Sequence, residues 1–270
     1  RVFPVSVKAE EIRQALLRYA QDADIVYDGA KKLLLEDIVP EAEPAPAAAE
    51  NPRHPKKKKA GPALRCVGVR GTSGREYRAD AVLVVSPYYN KATPEGLCLH
   101  YQAVALSVQL PVIVYNVPSR TGVDIPVSVY RELSAMPNIA GVKEATGDMK
   151  KILSIRAQCP AHFRVWSGCD ELTVPTLALG GAGVISVLSN LYPEMTQTMV
   201  SAGLDGDFDT AADLQIRFEP IIRALFSQPN PIPVKAAMKL LGYDCGEPRL
   251  PLTPASHQLV EKLRTLLNIG

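Results

Sequence analysis

The sequence VIVYNVPSRTG at residues 112–122 and the sequence GVKEATGD at residues 141–148 decide the fold and the chemistry of this chain. Each contains a short apolar run, and each run ends in a reactive side chain, Tyr115 in the first and Lys143 in the second. If the two runs are neighbouring parallel strands, both side chains project from the same rim. A lysine and a tyrosine that share a pocket are what carbonyl chemistry through a Schiff base requires. Arg120, which follows the tyrosine, adds a guanidinium that can bind a carboxylate.

Apolar runs and amphipathic helix patterns alternate over the last two thirds of the chain. The predicted strands are residues 81–85, 112–115, 139–143, 163–167 and 183–187. The predicted helices between and after them are residues 94–108, 126–135, 148–159, 171–179 and 193–202. Short, mostly β-branched runs are typical of strands that are buried on both faces. Strands separated by helices predict βαβ units and a parallel sheet.

Five such units in a row favour a (β/α)₈ TIM barrel, with a doubly wound sheet as the alternative. Residues 80–203 are predicted to hold the barrel βα units. Three more helical patterns follow at residues 208–226, 233–241 and 255–267, so residues 204–270 are predicted to form a C-terminal helical extension.

Residues 1–79 do not follow this rhythm and are predicted to be an atypical N-terminal segment. Residues 9–20 could form a helix, and residues 33–38 a short strand or helix. Residues 40–62, rich in Pro, Ala and charge, are predicted to be a linker that cannot bury enough apolar surface to fold. The four lysines at residues 56–59 are interpreted as a solvated part of that linker, with a nucleic-acid or membrane patch as the alternative.

Composition excludes several classes of function. The chain is 47% hydrophobic and 21% charged with a formal net charge of +2, which is ordinary for a soluble protein and does not support general binding of polyanions. Its five cysteines form no CxxC pair, and this pattern predicts reduced thiols in a cytoplasmic protein. No apolar run approaches the length of a membrane span. His100 and His162 stand alone, so no metal site is predicted.

Six motifs in order resemble one known family. They are SPYYNKATPEGL at residues 86–97, YNVPSRTG at 115–122, GVKEATGD at 141–148, SGCDE at 167–171, GGAGVISV at 180–187 and NPIPVK at 230–235. Together they resemble the dihydrodipicolinate synthases, also called 4-hydroxy-tetrahydrodipicolinate synthases, within the N-acetylneuraminate lyase superfamily. The resemblance covers about residues 79–245. It implies a (β/α)₈ barrel with a C-terminal helical extension, usually as a homotetramer.

The resemblance also implies a reaction. These enzymes are lyases that condense pyruvate with L-aspartate 4-semialdehyde in lysine and diaminopimelate biosynthesis, with no cofactor beyond the imine that a lysine forms with pyruvate. The stretch VPSRTG with Arg120 is similar to the dihydrodipicolinate synthases, whereas the sugar-acid aldolases of the superfamily generally lack it. Another pyruvate-dependent aldolase of the superfamily is the alternative activity.

By resemblance, Lys143 is the nucleophile that forms the imine and Tyr115 passes protons during its formation. Arg120 is expected to bind the carboxylate of the incoming semialdehyde, because a guanidinium grips a carboxylate with two parallel hydrogen bonds. Tyr89 resembles the family's relay tyrosine, which is contributed across a dimer contact. Its neighbour Tyr88 cannot be distinguished from it on sequence alone, and a core or interface tyrosine is the alternative.

Gly168 and Ile185 match the family positions that line the pyruvate site. The family's GTTGE motif, whose two threonines complete the tyrosine relay and bind the pyruvate carboxylate, has no counterpart in its place. The GTSG at residues 71–74 looks similar, but it lies too close to Tyr88 to leave room for another βα unit, and it rather resembles the turn after the family's third strand. A third hypothesis is therefore a catalytically impaired barrel protein.

Overall fold

The first strands form an antiparallel sheet. The computed structural model describes residues 30–38, 63–71, 76–77 and 80–269, with backbone pairing alone for the first three ranges. The helix predicted at residues 9–20, the linker and the lysine run lie outside the described residues. The sheet has the order β1–β2–β3, with β1 at Ala30–Ile38, β2 at Ala63–Gly71 and β3 at Glu76–Tyr77. Residues 33–38, which the sequence left open between strand and helix, belong to β1.

A second sheet holds five parallel strands in sequential order. They are β4 (Val82–Val85), β5 (Val112–Asn116), β6 (Ile139–Glu144), β7 (Arg164–Ser167) and β8 (Gly183–Val184). The order of a doubly wound sheet reverses at a switch point, whereas this order does not. The βα units of the predicted (β/α)₈ fold are therefore confirmed, and the N-terminal strands are atypical because they pair antiparallel.

Nine helices follow or separate the parallel strands in the described part of the chain. They are α1 (Pro94–Ser107), α2 (Pro118–Thr121), α3 (Val127–Leu133), α4 (Met149–Gln158), α5 (Thr173–Ala178), α6 (Pro193–Leu204), α7 (Phe208–Leu225), α8 (Ile232–Leu240) and α9 (His257–Leu266). Capping side chains mark several starts, because the first amides of a helix lack backbone partners. Thr93 accepts a hydrogen bond from the amide of Gly96, and Asp148 from that of Lys150.

Most predicted elements begin or end within two residues of the expected position, and two of them change in kind at one end. The strand predicted at residues 183–187 ends at Val184, and the helix predicted at residues 171–179 begins as a 3₁₀ turn at Asp170–Leu172 before α5. The early end of the strand has a physical cause. The carboxylate of Asp170 accepts hydrogen bonds from the amides of Val187 and Leu188, and this draws the chain out of the sheet into a 3₁₀ turn at Leu188–Asn190.

The main core lies between the parallel sheet and the helices that follow its strands. Val84, Val114 and Val142 on neighbouring strands pack with the fully buried Tyr101 and Tyr130 of α1 and α3. Burial of apolar surface on this scale is the dominant favourable contribution to folding. A second cluster joins α7, α8 and α9 to Leu188, so the C-terminal helices pack against the end of the last βα unit.

Candidate active site

Tyr115 and Lys143 lie side by side at the carboxyl ends of β5 and β6. The two residues are register partners in the parallel sheet, and the Lys143 Nζ lies 4.4 Å from the centroid of the Tyr115 ring. Parallel pairing without a slip at this point puts both side chains on the same face, as the sequence predicts. Trp166 of β7 is the register partner of Lys143 on the other side, so an aromatic residue flanks the lysine on each neighbouring strand.

Burial changes the acid–base properties of Lys143. The pKa of Lys143 is lowered from 10.5 to about 8, mainly by desolvation; the carboxylate of Asp170 and then Cys169 act in the opposite direction, and the charge of Arg120 adds a smaller decrease. Burial disfavours the charged form of an amine because a low-dielectric surrounding solvates an ion poorly. The amine is therefore much closer to its neutral, nucleophilic form at neutral pH than an ordinary lysine is.

Arg120 lies in α2, the short helix that follows β5, and its side chain is exposed at the same rim. Its guanidinium donates a hydrogen bond of 3.1 Å to the backbone carbonyl of Asn230, in the loop between α7 and α8. A guanidinium has five N–H donors, so the remaining donors can bind a carboxylate. Its charge acts on the Lys143 amine, which agrees with a place close to the pocket.

The tyrosine pair lies in the loop between β4 and α1. Tyr88 is 69% exposed and Tyr89 is 89% exposed, so neither side chain belongs to the core of this chain. The core alternative for this pair is therefore wrong for the described chain. Tyr89 also has a φ of 70°, which is uncommon for a residue other than glycine and marks a tight bend at this point.

Gly168 and Ile185 lie at the ends of β7 and β8, next to the lysine strand. The Gly168 amide donates to the carbonyl of Glu144, the residue after Lys143, and a Cβ at Gly168 would lie 2.5 Å from the Cβ of Ala145. Only glycine lets the two loops approach this closely. Ile185 is half-buried, and its amide donates to the carbonyl of Ser167. The structure thus brings Lys143, Tyr115, Gly168 and Ile185 to one rim.

A buried polar network lies behind the lysine, and the sequence reasoning missed it. The carboxylate of Glu144 accepts hydrogen bonds from the Asn116 side chain at 2.9 and 3.1 Å and from the Tyr130 hydroxyl at 3.2 Å, and its residue is 2% exposed. Lys151 of α4 pairs with Asp124 and lies 3.9 Å from the same carboxylate. Strand alternation could have indicated this network, since a glutamate next to an inward-facing lysine must point beneath the helices.

A second buried carboxylate, that of Asp170, was also missed. Asp170 is 1% exposed and lies two residues after Gly168, inside the SGCDE motif. Its Oδ2 accepts from the amide of Val187 at 2.8 Å and from that of Leu188 at 3.1 Å. Motif position alone gave no sign that it is buried, because the partners come from a distant loop.

Two kinds of feature are missing from the described residues. Among them, no group of three or more His, Cys, Asp and Glu side chains is arranged to hold a metal ion. None of the helices in the same residues has the length and apolar character to cross a bilayer.

The chain is similar to known proteins of one family. The model of the dihydrodipicolinate synthetase family matches residues 70–269, a longer stretch than the one that carries the six motifs. The 4-hydroxy-tetrahydrodipicolinate synthase of Methanospirillum hungatei is 47% identical over 197 residues, which cover 73% of this chain and 67% of that protein. The protein of the same name from Caldicellulosiruptor saccharolyticus is 46% identical over 193 residues, which cover 72% of this chain and 65% of that protein.

Solved structures of dihydrodipicolinate synthases also superpose on this chain. The dihydrodipicolinate synthase of Thermotoga maritima superposes with a TM-score of 0.69 at 41% identity, covering 70% of this chain and 66% of that one. The chloride-inhibited dihydrodipicolinate synthase of Acinetobacter baumannii, solved in complex with pyruvate, superposes with a TM-score of 0.69 at 41% identity, covering 71% of this chain and 66% of that one. The chain spans about two thirds of the length of the relatives that it matches.

Proposed function

The chain belongs to the dihydrodipicolinate synthetase family, and on that premise we propose that it is a Schiff-base lyase that condenses pyruvate with L-aspartate 4-semialdehyde. The product would be 4-hydroxy-tetrahydrodipicolinate, an intermediate of lysine and diaminopimelate biosynthesis. The observation that carries the proposal is the contact between the Lys143 amine and the Tyr115 ring at the rim of the parallel sheet.

The first half of the reaction uses Lys143 and Tyr115. The neutral amine adds to C2 of pyruvate, and a proton passes from the nitrogen to the former carbonyl oxygen to give a neutral carbinolamine. That hydroxyl then takes a second proton and leaves as water, so that a protonated imine remains. Tyr115 would carry these protons, because a neutral phenol can donate and accept a hydrogen bond. A base then removes a proton from C3, and the electron pair moves towards nitrogen to give a neutral enamine.

The second half adds the aldehyde. The enamine carbon attacks the aldehyde carbon of the semialdehyde, and the aldehyde oxygen takes a proton to become the 4-hydroxyl. The amino group of the bound chain then attacks the imine carbon and displaces Lys143, which closes the ring and frees the enzyme. Arg120 would bind the semialdehyde carboxylate with the donors that Asn230 leaves available. A metal or organic cofactor has no step in this scheme.

The remaining roles follow from position. Gly168 and Ile185 would line the pyruvate site, since both lie beside the lysine strand. Tyr89 would act as a relay residue in a neighbouring subunit, and its high exposure leaves it available for such a contact. A homotetramer in the cytoplasm is part of the proposal, and light scattering on the purified full chain would test the assembly.

Borohydride trapping tests the proposal directly. Pyruvate and borohydride are expected to add one reduced pyruvyl group to the peptide that contains Lys143, and Lys143→Met should lose the adduct. The matched control is Lys150→Met, which removes an exposed lysine from the same region and should leave trapping unchanged. A folded protein whose Lys143 stays unmodified would refute the imine.

A second experiment separates the proposed substrate from other aldehydes. Arg120→Met should raise the KM for the semialdehyde, because the carboxylate loses its partner, while pyruvate trapping at Lys143 continues. A panel of aldehydes with pyruvate held constant then decides the activity. A preference for a sugar aldehyde in the wild-type chain would favour the other pyruvate-dependent aldolases.

A further inference from the structure

The buried carboxylate of Asp170 is held by only one of its two oxygens. Oδ2 accepts hydrogen bonds from the amides of Val187 and Leu188, whereas Oδ1 is buried without a hydrogen-bond partner among the described residues. A buried carboxylate oxygen without a partner costs free energy, and a native structure that keeps one has a reason for it. A cation within reach of the carboxylate is the simplest reason, since buried charges are normally paired.

The position of Asp170 is fixed from the C-terminal extension. Gln215 of α7 donates from its side-chain amide to the Asp170 carbonyl at 3.0 Å, and its side-chain oxygen accepts from the amide of Val174 at 3.2 Å. The 3₁₀ turn that carries Asp170 is therefore held between this helix and the Val187–Leu188 backbone. A charge that is held this firmly acts as a preorganised electrostatic group.

The cation at the end of the adjoining strand is the amine of Lys143: the amide of Gly168, two residues before Asp170, donates to the carbonyl of Glu144, the residue after Lys143. The charged or titratable groups that act on the amine are Asp170 and Cys169 in the loop after β7 and Arg120 in α2, and the Tyr115 ring contacts it. Among these, the Asp170 carboxylate has the largest effect that favours the cationic amine. The thiol of Cys169 is a weak competitor, because burial raises its pKa to about 11 and leaves it neutral at physiological pH.

We propose that Asp170 is the buried counter-charge of the nitrogen at residue 143, and that it keeps the imine with pyruvate protonated. This inference rests on the proposed function. Asp170 would act through Lys143 and is a positioning residue rather than a catalytic one, because nothing places it against the substrate.

The chemistry explains why such a charge is useful. Loss of water from the carbinolamine leaves a positive charge on nitrogen, and a fixed anion stabilises that charge. The protonated imine is the form that draws electrons from C3, because its nitrogen can accept the pair when the C3 proton leaves. A neutral imine does this poorly. Asp170 thus extends the protonated form to higher pH, at the cost of keeping more of the resting amine protonated.

Because Asp170 affects the protonation of both the amine and the imine, the proposal predicts a change in the pH dependence of the reaction, which would not follow if Asp170 only stabilised the fold. The rate of C3 proton exchange should rise with pH as the amine becomes neutral and fall again as the imine loses its proton. Removing the charge of Asp170 lowers the pKa of this nitrogen both in the free amine and in the imine, so both limbs of the profile should move to lower pH. An opposite charge nearby shifts a pKa by about 1 unit or more, which sets the expected displacement.

The test follows deuterium uptake at the pyruvate methyl group by NMR, with full-length protein and no aldehyde, between pH 6 and 10. Asp170→Asn keeps an acceptor for the Val187 and Leu188 amides, and Lys143→Met gives the uncatalysed background. Asp170→Ser is the second neutral variant and is measured in the same way if the asparagine variant shows no cooperative melting. Glu171→Gln is the matched control, since it removes an exposed carboxylate from the same turn.

A profile displaced by about 1 pH unit to the acid side in a neutral Asp170 variant, and not in the Glu171 variant, would support the counter-charge. A profile that loses amplitude but keeps its limbs would overturn it, because Asp170 would then only maintain the structure. Exchange in the wild-type chain no faster than in the Lys143 variant would instead refute the proposed function itself.

Discussion

The lowered pKa of Lys143 makes a quantitative prediction about its reactivity. With a pKa of about 8, roughly a tenth of the amine is neutral at pH 7, whereas at the ordinary value of 10.5 the neutral fraction is about three in ten thousand. The structure therefore predicts an advantage of about 300-fold in nucleophilic amine at pH 7. This advantage should depend on pH, because it disappears at high pH, where an ordinary lysine is also neutral.

Competitive labelling measures this advantage without any substrate. A trace of isotopically labelled acetic anhydride is added to the folded chain between pH 6 and 11, and the Lys143 peptide is compared with free Nα-acetyl-lysine. Labelling of Lys143 should increase about tenfold per pH unit and level off near pH 8. Labelling that continues to rise through pH 9 and 10, in parallel with the free amino acid, would refute the reasoning from burial.

Three further predictions concern stability. Lys143→Met should stabilise the chain at pH 7 by at most about 3 kcal/mol, because the charged amine is desolvated on folding. The folded-state pKa of Lys143 is depressed, so this gain should shrink as the pH rises from about 8 to 10.5. Melting curves recorded across this pH range would measure the change. Glu144→Ala should cost about 2–4 kcal/mol in urea unfolding, because it takes the acceptor from the buried Tyr130 hydroxyl and from the Asn116 side chain, while Lys151 keeps its partner Asp124. Gly141→Ala should lower the free energy of unfolding by at least about 2 kcal/mol, because the φ of Gly141 is 150° and a Cβ there would overlap the Arg164 backbone. Gly147 has a φ of 77° but no neighbouring atom within reach of a Cβ, so Gly147→Ala should lower it by only about 1 kcal/mol.

Each of these predictions has a contradicting result. A constant difference in melting temperature between wild type and the Lys143 variant across the alkaline range would mean that the amine is not desolvated. A Glu144→Ala chain within about 1 kcal/mol of wild type would mean that the buried network contributes little. Equal effects of the two glycine substitutions would mean that backbone conformation, and not the contact with Arg164, limits position 141.

The order of the elements could be read from local sequence patterns. Apolar runs about one βα unit apart predicted β4 to β7 to within one residue at most ends, and the helix patterns gave α1, α4 and α7 with similar accuracy. The prediction was wrong at the end of β8, where a strand pattern continues through Val187 but the backbone leaves the sheet. The amide of Val187 bonds instead to Asp170, a contact between distant parts of the chain that no local pattern contains.

Local patterns in the chain are enough to put Tyr115 and Lys143 at one rim, because residues that end consecutive parallel strands meet at one edge of the sheet. The acid–base behaviour of that lysine depends instead on contacts between distant segments. Its pKa depends on the water that the surrounding elements exclude and on a carboxylate, Asp170, whose position is set by the backbone at Val187 and Leu188 and by Gln215 of the C-terminal extension. Strand periodicity is a local property of the chain, whereas desolvation and charge act through space between segments that only folding brings together.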